Sequence, residues 1–71
     1  MNKFYRIYHK DGSQLAVTAT KHRSGEFIVN ADYYGSDGYY KAGLSHWYES
    51  TQEDFDKQME LAKTTSTVKE F

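Results

Sequence analysis

Apolar residues alternate with polar ones along the first two thirds of the chain and then recur at helical spacing. KFYRIYHK (3–10), QLAVTATK (14–21), EFIVNADYY (26–34) and YYKAGLSHWY (39–48) are rich in β-branched and aromatic residues. Asp11-Gly12, Ser24-Gly25 and Gly35-Ser36-Asp37-Gly38 separate them. Turn signals spaced by about 12 residues predict an antiparallel meander of four strands.

Register decides which side chains face inward, because a slip of one residue reverses every face. A three-residue loop at Lys10-Asp11-Gly12, with Gly12 left-handed, pairs Ile7 with Leu15 and Tyr5 with Val17. It also keeps Arg6 out of the apolar layer. The same loop at Arg23-Ser24-Gly25 pairs Ala19 with Val29 and Val17 with Ala31. At the third turn a two- or four-residue connection pairs Tyr33 with Tyr40 and Val29 with Leu44, and sets Asp32 opposite Lys41. The expected inner face is Tyr5, Ile7, Leu15, Val17, Ala19, Phe27, Val29, Ala31, Tyr33, Tyr40, Ala42 and Leu44, continued by His46 and Tyr48.

ESTQEDFDKQMELAK (49–63) reads as a helix over about residues 51–63. Ser50 and Glu53 have the spacing of a capping box. Carboxylates gather in the first turns and Lys63 near the last, as the helix dipole favours. Phe55, Met59 and Ala62 form one apolar stripe that predicts packing across the inner face, with Leu61 at its margin. The tail over 65–71 is β-prone. A helix of about 13 residues spans roughly 20 Å, the length of a six-residue strand. The tail can therefore return as a fifth strand against the first. The fold class is α+β: a four-stranded antiparallel meander with one C-terminal helix on one face, in a single domain over 1–71.

Length and charge narrow the picture. A chain of 71 residues without cysteine has no disulfide to staple it, and must rely on dense packing or an oligomer interface. The absence of cysteine and of an apolar leader at MNKFYRIYHK fits the cytoplasm. No run approaches the roughly 18 apolar residues of a membrane span. The net charge of −1 argues against purely electrostatic nucleic-acid binding. It conceals an asymmetry: Lys3, Arg6, Lys10, Lys21 and Arg23 against Asp11 in residues 1–25, then four lysines against nine carboxylates in 26–71.

The outer face receives Phe4, Tyr8, Ile28, Tyr34, Tyr39 and Trp47, interleaved with Arg6, Lys10, Asn30 and Lys41. That is a large aromatic surface, of the composition enriched at binding hot spots. Chemistry is harder to find. His9, His22 and His46 lack metal-ligand spacing, no nucleophile elbow is present, and GSDGYYKAG is not a phosphate-binding loop. The acidic residues Glu49, Glu53, Asp54, Asp56 and Glu60 are explained by the helix start.

The expected function is a small non-enzymatic protein-binding module. Tyr8, Tyr34, Tyr39, Trp47, Phe4, Arg6 and Lys41 are its contact residues, with no catalytic residue, metal or cofactor. The partner is a foreign target or a second copy. Single-stranded nucleic acid stacked on the same face is the alternative. In size and layout the chain is similar to small phage or mobile-element proteins that inhibit a host factor by covering its surface, anti-CRISPR proteins among them. The start NKFYRIY and the sheet-then-helix order resemble a WGR domain, but the Trp-Gly-Arg triplet is absent, which rules that family out.

Overall fold

A computed structural model describes residues 1–71. Five antiparallel strands are β1 (Asn2–Tyr8), β2 (Gln14–Lys21), β3 (Phe27–Tyr34), β4 (His46–Ser50) and β5 (Thr67–Glu70). One helix, α1 (Gln52–Thr65), links β4 to β5. The sheet order is β4-β3-β2-β1-β5, so the tail does return as an edge strand beside β1, pairing Tyr5 with Glu70 and Ile7 with Val68. At 14 residues, α1 is about 21 Å long, enough to carry the chain from one end of the strands to the other.

The three hairpin turns share one form. The amides of His9, His22 and Gly35 bond the carbonyls of Ser13, Glu26 and Tyr39 at 2.9–3.0 Å, and Gly12, Gly25 and Gly38 have φ of 91°, 97° and 86°. These glycines are needed for the left-handed position that closes each three-residue loop. The first two registers follow as expected, with Ile7 opposite Leu15 and Ala19 opposite Val29. The third turn takes the same loop instead of the even-numbered one, so Tyr40 stands opposite Tyr34, not Tyr33. That one-residue difference moves Tyr40 to the outer face.

Carboxylates brace the first and third turns. Asp11 accepts the Ser13 hydroxyl at 2.6 Å and its backbone N–H at 2.8 Å. Asp37 accepts the Tyr39 N–H at 3.0 Å and the Lys41 ammonium at 2.9 Å. The Ser13 hydroxyl first, then its amide, hold the Asp11 carboxyl below the ordinary range. The Tyr39 amide first, then Lys41, do the same for Asp37. A depressed folded value means the bonds stabilise the fold at neutral pH, and that this contribution is lost as pH falls through the folded value. On acid titration the Ser13 and Tyr39 amide resonances should therefore move with midpoints below the ordinary aspartate range. Midpoints within that range would show that the carboxylates do not close the turns.

The strand expected over 39–48 is broken. Only Tyr40 makes a bridge, Ala42–Leu44 form a 3-10 turn, and pairing resumes at His46. Ala42 and Gly43 are poor strand formers, and local bonds replace the ladder: Leu44 N–H to the Lys41 carbonyl at 3.0 Å and Ser45 N–H to the Ala42 carbonyl at 3.2 Å. The Ser45 hydroxyl takes the Tyr33 N–H at 2.9 Å, a bond the missing strand would have made. Ala42 and Leu44 are accordingly exposed rather than inward, and Lys41 pairs with Asp37 rather than Asp32. Val29 meets Tyr48, not Leu44.

The core lies between the sheet and α1. Ile7, Val17, Ala19, Phe27, Val29 and Ala31 from the sheet meet Phe55 and Met59 from the helix, with Tyr5, Leu15, Ala62 and Val68 around them. The Phe55 ring sits 5.3 Å from Tyr5 and 5.6 Å from Phe27, centroid to centroid. Leu61 stays exposed.

The helix cap is one residue later than the Ser50–Glu53 spacing suggests. Thr51 is the N-cap, and its hydroxyl accepts the Asp54 N–H at 3.1 Å. Ser50 is held in the ladder opposite Phe27 and cannot turn to cap. Thr51→Ala should cost about 0.5–2 kcal/mol, with Ser50→Ala much milder. Equal losses in chemical denaturation would place the cap elsewhere.

Candidate functional site

The helix covers one face of the sheet and leaves the other bare. Pairing sorts the bare face into rows. One row runs Thr67, Tyr8, Gln14, Tyr34, Tyr40 from β5 to the Tyr40 bridge. The next runs Lys69, Arg6, Ala16, Asp32. A third runs Phe4, Thr18, Asn30, Trp47, extended by Phe71, whose N–H bonds the Phe4 carbonyl at 2.8 Å. The last is Asn2, Thr20, Ile28, Glu49.

Of the residues expected at this face, Phe4, Arg6, Tyr8, Tyr34 and Trp47 stand on it. Phe4 is 50% and Trp47 68% exposed. Tyr8 and Tyr34 are half-buried because cations lie over their rings: Lys69 Nζ is 5.7 Å from the Tyr8 centroid, and the Arg6 guanidinium carbon 5.6 Å from that of Tyr34. Arg6 also donates to Gln14 Oε1 at 2.8 Å. Tyr39 and Lys41 are not on the ladder. Tyr39 is 72% exposed in the third turn, and Lys41 reaches back to Asp37 beside it.

Two aromatic members were missed. Tyr40 joins Tyr34, rings 5.5 Å apart, and its hydroxyl donates to Asp32 Oδ1 at 3.4 Å. The repeated Asp-Gly of the first and third turns was the signal that could have placed it. Phe71 follows from the alternation of TVKEF once the tail is paired.

The ionic pattern on this face is segregated. Arg6 and Lys69 lie on the β1–β5 side, Asp32 and Glu49 on the β3–β4 side, and none of the four forms a salt bridge on this face. Between them β2 presents only Gln14, Ala16, Thr18 and Thr20. The two cations and two carboxylates cancel, so the face is neutral as a whole.

The opposite side offers a cleft of about 250 Å³ between α1 and the inner face of β1–β4, with His9, His46, Tyr48, Gln58 and Met59 among its walls. His46 is exposed and stacks on Tyr48, while His9 Nδ1 lies 2.9 Å from the Ser66 hydroxyl. No three His, Asp or Glu side chains come together as a metal site would require. No helix is long and apolar enough to cross a membrane.

Neither a protein-family model nor a curated protein nor a solved structure matches the chain.

Proposed function

We propose that the protein is a non-enzymatic protein-binding module whose contact surface is the outer sheet face. The observation that carries this reading is the exposure of Phe4, Tyr40 and Trp47, each by half or more, across a rigid sheet with no net charge. Aromatic side chains held by a backbone ladder present large contact area at little entropic cost, which is what interface hot spots require. Arg6 and Lys69 share the face with Asp32 and Glu49, so it carries no net positive charge to hold a nucleic-acid backbone.

On this reading the module acts in the cytoplasm by covering a surface of a foreign target. That is the mode of the small phage and mobile-element inhibitors, anti-CRISPR proteins among them, that it is similar to in size and layout. The test is capture of partners from the source cell by the wild-type chain, Trp47→Ala and Arg23→Ala. Capture should be lost with the first variant, kept with the second, and nearly indifferent to salt. Capture that survives Trp47→Ala would overturn the reading. A steep loss with salt, with nucleic acid recovered, would replace it by single-strand binding.

A further inference from the structure

We infer that, when no other target is bound, the outer face is occupied by a second copy of this chain, related by a two-fold axis parallel to β2. The inference rests on the outer face being a protein-contact surface, and it names the occupant.

The charge pattern and the row order carry it. A two-fold axis lying between two outer faces and parallel to β2 lays β2 over β2. It lays β1 of one copy over β3 of the other, and β5 over β4. The rows then fix what meets what. Arg6 lies over Asp32 of the second copy, and by symmetry Asp32 lies over its Arg6. Tyr8 lies over Tyr34, and Phe71 over Trp47. On the axis Gln14, Ala16, Thr18 and Thr20 meet their own copies, and the strand is narrowest at Ala16 and Thr18. Four aromatic contacts, two of each kind, and two ion pairs are satisfied by one operation, as an isologous interface requires.

The other in-plane two-fold axis, perpendicular to the strands, lays each half of the face on itself. It would bring the cationic β1–β5 side of one copy against the same side of the other, and the acidic β3–β4 side against itself, so charge selects the first axis. Strands that stay within about 30° of parallel across the interface also fall in the aligned class of sheet packing, about 10 Å apart. The area is adequate. Strands of 7, 8, 8, 5 and 4 residues, at about 3.3 by 4.8 Å per residue, give a face of about 500 Å² in projection. Side-chain relief raises this toward the roughly 800 Å² that each partner gives to a standard interface.

Sedimentation equilibrium over a concentration series tests this with the whole chain. The wild type should be in monomer–dimer equilibrium. Arg6→Asp alone and Asp32→Arg alone should each weaken the dimer at least about tenfold, since each sets like charges together twice. An equal mixture of the two variants should recover the dimer, because both contacts in the mixed pair join opposite charges. Thr18→Lys, at the axis, is the independent variant should either charge change disturb folding, and it should also shift the equilibrium to monomer. A wild type that is monomeric throughout, a dimer indifferent to Thr18→Lys, or a mixture that does not recover would each overturn the inference. The underlying reading fails separately. A monomer whose capture of a foreign protein is lost with Trp47→Ala removes the dimer and leaves the protein-contact face standing. A Trp47→Ala variant that captures normally removes the foreign-target reading, and the dimer then stands or falls on sedimentation alone.

Discussion

Phe55→Ala is expected to leave the domain largely unfolded at room temperature. Phe55 is the helix's main anchor: it is 3% exposed and its ring lies against Tyr5 and Phe27. Truncating a buried phenylalanine costs about 3–5 kcal/mol. A single core this small supplies only about 3–5 kcal/mol in total. There is no disulfide to hold the remainder, and the other buried helix side chain, Met59, cannot fill the void from a full turn away. Val29→Ala acts in the same direction, less strongly. Val29 is the most deeply buried side chain, and its loss removes roughly 2 kcal/mol of apolar contact. Thermal melts followed by circular dichroism decide the matter. A cooperative Phe55→Ala transition within a few degrees of wild type would mean that the helix does not hold the sheet as described.

The second large effect is on binding and should leave folding alone. Trp47→Ala should cost at least about 2 kcal/mol in partner affinity, as truncation of an aromatic hot spot does. Its melting temperature should stay close to wild type, because Trp47 contributes nothing to the core from the outer side of β4. Tyr40→Ala should follow the same pattern, and Arg23→Ala, at the opposite end of the sheet, should do neither. Calorimetric titration with the captured partner measures the first quantity and a thermal melt the second. A Trp47→Ala variant that binds normally would move attention to the basic second turn and the acidic start of α1.

Most of the fold can be read from turn chemistry and alternation. Keeping Arg6 out of the core selects the left-handed glycine loop at Gly12, and that choice places β1 and β2 correctly. The helix follows from its stripe, and β5 from a length argument. The third hairpin misleads because Asp32 and Lys41 look like a cross-strand pair. In the folded chain Lys41 has a nearer partner in Asp37, four residues away, and the same glycine loop holds there too. The 3-10 break at Ala42–Leu44 depends on Ser45 reaching the Tyr33 amide, a tertiary contact that periodicity cannot show.

The candidate face survived that error for a specific reason. The expected pairing set Val29 opposite Leu44, whereas it lies opposite Tyr48, a displacement of four residues. An even displacement preserves the alternation, so Trp47 still faces outward. Tyr40 was displaced by one, so it did not keep its side.

The break in the fourth hairpin arm also bears on solubility. An open sheet has two edges with unpaired backbone groups, and a long flat edge recruits further strands into aggregates. Here the 3-10 turn leaves β4 only five paired residues, and β5 on the far side has four, two of them Lys69 and Glu70. Neither edge is long enough to template a growing fibre. Edge-to-edge association is thereby disfavoured, and on the proposed reading a partner would close the broad aromatic side instead of extending the sheet.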